Sequence, residues 1–120
     1  MADRMLFIGW GAPVRGREER SLEVFNASMG LYGRLQQEGR IEGFDVALMT
    51  PNAELGGFIQ LHGTAAQLAA VREDPEFQRM TVDAELCVDG MRLIDGFTNG
   101  GVAEQMALYT EAVAMVPQAT

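Results

Sequence analysis

Leu22, Phe25, Met29, Tyr32 and Leu35 recur at steps of three and four, a spacing that gathers them on one stripe of an α-helix. A stripe of that kind has to be buried, and the chain around it supplies the surface. Met5 to Trp10 (MLFIGW) is a short apolar run closed by Gly11, Ala12 and Pro13, which reads as a central strand followed by a turn. Ile41 to Thr50 (IEGFDVALMT) and Phe58 to His62 (FIQLH) have strand character, and a connection rich in Pro, Asn and Gly joins them. They should pair as an antiparallel hairpin. The helix between the first two strands should end near Gly39. Gly30 and Gly33 lie inside it, each costing about 1 kcal/mol against alanine, and close packing on the sheet is the expected compensation.

Thr64 and Gln67 form a capping-box pattern ahead of Leu68 and Val71, and Asp74-Pro75 restarts the helix as an N-cap with proline at the first helical position. Phe77, Met80, Ala84 and Cys87 carry its apolar stripe towards Gly90. Met91 to Phe97 (MRLIDGF) is the fourth strand. Val102, Met106, Tyr109, Val113 and Val116 then step by four, three, four and three, predicting a C-terminal helix over about 100–116.

The first six elements follow the βαββαβ order of the ferredoxin-like unit, so residues 1–120 read as one α+β domain with its core over about 4–99. In that arrangement both crossover helices cover the same face of an antiparallel sheet, and the other face is bare. Period-two alternation puts Ile59 and Leu61 on one side of their strand and Phe58, Gln60 and His62 on the other. The preceding strand divides into Phe44, Val46 and Leu48 against Asp45, Ala47 and Met49. Phe58, Met49 and whichever of Phe7 or Trp10 points the same way would make the bare face too apolar for water. A second copy related by a two-fold axis can cover it, and two sheets meeting this way enclose a space suited to a small, largely apolar organic molecule.

Nine basic and seventeen acidic side chains give a net charge of −8, a field that repels phosphate backbones and anionic lipid surfaces, so neither nucleic acid nor membrane is expected as a partner. Arg15, Arg17 and Arg20 are interleaved with Glu18 and Glu19 and read as a solvated helix entry. The single cysteine, Cys87, and a start without the pattern of a secretory leader fit a reducing cytoplasm. No cofactor is implied: one histidine and one cysteine give none of the usual metal-ligand spacings, and the glycines form no phosphate-cradling motif.

His62 is the one side chain with an ordinary pKa near neutrality. At a strand end facing the enclosed space it could exchange a proton with a ligand, or merely bond backbone or water at the rim. Gln60, on the same face, could hold a carbonyl or hydroxyl, or a partner chain. Trp10 could close the space as a lid, or belong to the core or to a dimer contact. Phe58 would line the space. Asp45 and Asp95 interrupt apolar strands and need donors if buried, Arg92 being available to either, while the face of Asp95 is ambiguous. A module whose interior is filled by packing, without ligand or catalysis, is the competing reading.

The runs GRIEGFDVALMT, GGFIQLHG, TAAQLAAVREDPEFQRM and MRLIDGF resemble the dimeric α+β barrel superfamily over about the first hundred residues. That group includes YCII-related domains, antibiotic-biosynthesis-type monooxygenases, muconolactone isomerase-like proteins and many small bacterial proteins of unassigned function. The resemblance is nearest to unassigned members related to YCII-type domains, through the Gly-Arg-Ile entry to the second strand and the Asp-Pro of the second helix. It implies a homodimer. The YCII-type site uses a histidine on the first helix, where this chain has none, so that chemistry is not carried over.

Overall fold

The computed structural model describes residues 2–119. Its strands are β1 (Arg4–Trp10), β2 (Gly43–Leu48), β3 (Gly57–Gly63) and β4 (Arg92–Phe97), and its helices α1 (Glu18–Gln37), α2 (Ala65–Glu73), α3 (Pro75–Glu85) and α4 (Gly100–Ala114). The strands lie in the order β2-β3-β1-β4, with every neighbouring pair antiparallel. This is the ferredoxin-like α+β fold, with the element order expected from the sequence.

Register makes one face of the sheet the core. Leu6 stands opposite Leu61, and Ile8 opposite Ile59. All four are buried, and they pack with Leu31 and Leu35 of α1 and with Leu68 and Val71 of α2. Burying each such aliphatic side chain contributes about 1.5–3 kcal/mol, which explains why the helix stripes sit where they do. Gly30 and Gly33 do not take part, because a Cβ built on either would meet no neighbouring atom. Close packing therefore does not compensate for them.

The capping box holds, with the Thr64 hydroxyl accepting from the Gln67 amide at 3.1 Å and the Gln67 side chain accepting from the Thr64 amide at 2.9 Å. Asp74 separates α2 from α3. Its carboxylate accepts from the backbone amides of Glu76 at 2.8 Å and Phe77 at 3.2 Å, and from Arg40 at 2.5 Å. α3 ends at Glu85, short of the expected Gly90. Residues 87–89 instead bond back to the chain after β1, with Val14 donating to Cys87 at 2.7 Å and Asp89 donating to Ala12 at 2.8 Å. With Gly11 also donating to Asp89 at 2.7 Å, the backbone there gains three hydrogen bonds that a continuing helix would forgo.

α4 departs from the rest. Its packing is chiefly against β4, and its apolar residues stay exposed, Met106 by 55% and Tyr109 by 65%. The radius of gyration, 17.1 Å, accordingly exceeds the roughly 13.6 Å expected of a compact chain of this length.

Arg40 holds the Asp74 carboxyl below the ordinary aspartate value of 3.8, helped by the Phe77 and Glu76 amides. A depressed folded-state pKa contributes stability that is present above the unfolded value and lost as pH falls through the lower folded one. Asp74→Ala should therefore lower the unfolding free energy at pH 7 by about 1 kcal/mol. The gap between the two chains should narrow as the pH falls below 3.8 and through the lower folded-state value, as read by urea titration at each pH.

Candidate functional site

The sheet divides the candidate residues between two places. On the bare face, β3 presents Phe58, Gln60 and His62, β1 presents Met5 and Phe7, β2 presents Asp45 and Ala47, and β4 presents Arg92 and Ile94. Phe7, rather than Trp10, is the first-strand aromatic on this side, and its ring stacks on Phe58 with centroids 5.2 Å apart. His62 Nε2 lies 2.7 Å from Asp45 Oδ2. They sit diagonally across the β2-β3 ladder, since Asp45 is directly opposite Gln60 and Gly43 opposite His62. A carboxylate at that distance can orient the imidazole ring. The Gln60 side-chain amide makes no hydrogen bond among the described residues.

Arg92 serves neither aspartate. It bonds the carbonyls of Gly90 at 2.9 Å and Glu54 at 3.2 Å, anchoring the turn organised by Asn52. Asp95 is opposite Leu6 and so belongs to the helix side, where it pairs with Arg72 of α2 at 3.1 Å. The phase of β4 that the sequence left open is thereby set.

Trp10 shares the parity of Leu6 and Ile8 and lies on the helix side, away from Phe58, Gln60, His62 and Asp45. Its cross-strand neighbour is Gly57, where a Cβ would come within 2.7 Å of the indole. Only the missing side chain lets the ring lie across β3. The indole meets Phe25 of α1 edge-on at 6.0 Å, and together they wall a cavity of about 260 Å³ between the sheet and helices α1 and α3. Ile8 and Ile59 form its floor, while Val24, Ser28 and Tyr32 of α1, Met80 and Ala84 of α3, and Cys87 complete the sides. Leu22 and Leu48, both largely exposed, also contribute to the lining.

The polarity of this cavity comes from a few hydroxyls. Ser28 donates to the Val24 carbonyl at 2.8 Å and Thr81 to the Phe77 carbonyl at 3.0 Å, which leaves their oxygens able to accept. Tyr32 is 2% exposed, and its hydroxyl has no hydrogen-bond partner among the described residues. Burial pushes its pKa well above the ordinary tyrosine value, so it is a neutral donor. The lining contains no carboxylate, histidine, lysine or arginine. Such a space can bind and orient an apolar molecule through one donated hydrogen bond. Among the described residues, no three His, Cys, Asp or Glu side chains are grouped to hold a metal ion, and no helix is long and apolar enough to cross a membrane.

Sequence reasoning did not single out Tyr32, Ser28 or Phe25 as site residues. The available signal was a small polar residue, Ser28, set between Phe25 and Tyr32 at helical spacing, which marks a gap in an otherwise bulky stripe.

No family model matches this chain, and no curated protein does. Solved structures match by fold. A dimeric ferredoxin-like protein of unknown function from Bacteroides fragilis superposes with a TM-score of 0.59 at 14% identity, covering 79% of this chain and 96% of that one. Another, from Jannaschia sp. CCS1, gives 0.58 at 14%, covering 80% and 98%. SnoaB, a cofactor-independent oxygenase from Streptomyces nogalater, gives 0.50 at 13%, covering 82% and 93%.

A hydroxyl without a partner in the protein adds no hydrogen bond to the fold, and removing it can be neutral or favourable. Tyr32→Phe should leave the thermal midpoint unchanged or slightly higher, by no more than about 1 kcal/mol in unfolding free energy. A clear loss on calorimetry would mean that the hydroxyl has a partner within the fold.

Proposed function

We propose that this chain forms a homodimer through its bare sheet face and binds a small, largely apolar organic molecule in the cavity between the sheet and helices α1 and α3. The observation that carries the ligand reading is the cavity itself: about 260 Å³, apolar on nearly every side, with a neutral phenol as its unpaired donor. The space opens at the surface beside Leu22 and Leu48, and this volume approaches the lower end of the ~300–1,000 Å³ typical of ligand pockets. The occupant is accordingly small, with an acceptor atom placed to meet Tyr32.

Three features support the dimer. Phe7, Phe58, Met5 and Ile94 make an apolar patch on a face that no helix covers. The charged groups there, Asp45, His62 and Arg92, are of mixed sign, so two copies can meet despite a charge of −8 each. Two of the structures with this fold are described as dimeric. Neither nucleic acid nor anionic membrane suits a chain so acidic, and the free, buried Cys87 fits a reducing cytoplasm.

A second reading rests on the 2.7 Å contact between His62 and Asp45. With the sheets paired, His62, Gln60, Phe58 and Asp45 would line the space between them, and His62 would be the group that moves a proton to or from a molecule held there. Trp10 would take no part in that site, being across the sheet. A packed, ligand-free interior remains the competing reading of the fold.

Native mass spectrometry of the purified protein should reveal a retained small molecule, or a thermal-shift screen of apolar compounds should raise the midpoint by several degrees. Ala84→Phe, which fills the cavity, should abolish that shift, whereas His62→Ala should abolish it only if the ligand sits between the sheets. No bound species and no shift with any compound would favour the packed module. Phe58→Glu should convert a dimer to a monomer of about 13 kDa on sedimentation, and unchanged association would overturn the sheet pairing.

A further inference from the structure

We infer that α4 is an exchanged arm, packing against the body of a second copy of this chain instead of its own. The inference rests on the proposed homodimer and goes beyond it. A helix that is apolar around most of its circumference is stable in water only when covered on more than one side. Val102, Met106, Tyr109 and Val113 form one stripe that the chain's own sheet leaves exposed, and Leu108 and Met115, also exposed, lie towards another side of the helix. Glu104 and Glu111 are the charged residues of the helix.

The junction directs the helix outward. Gly101 is buried against the backbone carbonyl of Asp3, where a Cβ would collide. The Thr98 amide donates to the same carbonyl at 3.1 Å, and the Asn99 side chain donates to the Ala2 carbonyl at 2.7 Å. Asn99 itself is held at φ 49°, a conformation unusual for a residue with a side chain. The root of α4 is thus bound tightly to the start of β1, while its shaft is left uncovered. That is the arrangement of an arm with a defined exit direction.

The area argument favours a second copy as its occupant. Four strands about 4.8 Å apart and six residues long present a face of roughly 380 Å². A stable interface buries about 800 Å² of accessible surface per partner, a larger figure than this flat projection. A fifteen-residue helix is about 22 Å long and 10 Å wide, adding roughly 220 Å² in projection from each protomer and bringing the contact close to that class. The two acidic residues of α4 and the absence of a basic one argue against an anionic membrane or nucleic acid. Two of the dimeric structures with this fold are covered almost completely, by 96% and 98%, while about a fifth of this chain has no counterpart in them. An added arm would account for that difference.

The test places a photo-crosslinking benzoylphenylalanine at position 106 and equilibrates nitrogen-15-labelled with unlabelled chains before irradiation. Crosslinked peptides pairing a labelled with an unlabelled chain are the expected result. Crosslinks confined to single chains within a dimer would overturn the arm and leave the sheet pairing standing, whereas a monomer on sedimentation would overturn both. The double variant Met106→Glu, Tyr109→Glu should raise the dimer dissociation constant at least tenfold without changing the circular-dichroism signature of the body. An unchanged constant would refute the arm, as would binding of the wild-type chain to phosphatidylcholine vesicles, which would make lipid the occupant.

Discussion

Everything in this molecule depends on one face of a four-stranded sheet being buried. Leu6, Ile8, Ile59 and Leu61 form a continuous apolar floor because the β1-β3 register sets them opposite one another. α1 and α2 lay Leu31, Leu35, Leu68 and Val71 onto it. A slip of one residue in either strand would turn that floor outward, so the same contacts specify register and supply much of the hydrophobic stabilisation. The bare face follows from this choice, since every residue of opposite parity is driven to the far side of the sheet.

The cavity follows from it as well. α1 and α3 cannot fill the whole floor with the side chains they carry, because Ser28 and Ala84 are small where their neighbours are large. Gly57 meanwhile lets Trp10 lie flat across β3. The unfilled volume is consequently bounded by aromatic rings and by hydroxyls whose hydrogens are directed to their own helices. The desolvation that raises the Tyr32 pKa also keeps its phenol neutral, a donor rather than an anion beside the space it lines.

The bare face has the opposite character. Its aromatic pair, Phe7 and Phe58, is surrounded by charged groups that water or another protein surface could satisfy equally well. The His62–Asp45 contact gives the chain's only histidine a fixed orientation.

Element order, the helix stripes, the capping box and the Asp-Pro break were legible in the sequence, because periodicity and capping are local properties written within a few neighbouring residues. The parity that groups Phe58, Gln60 and His62 was legible for the same reason. The placement of Trp10 opposite that group, the pairing of Asp95 with Arg72, and the contact of His62 with Asp45 required the registers between strands, which join residues far apart in sequence. The cavity was the least legible feature, since it is a gap defined by what three separate elements fail to fill. The exposed course of α4 was likewise decided by tertiary structure: its apolar pattern states that it needs a partner surface, but only the anchored turn at Asn99 and Gly101 determines that its own sheet does not provide one.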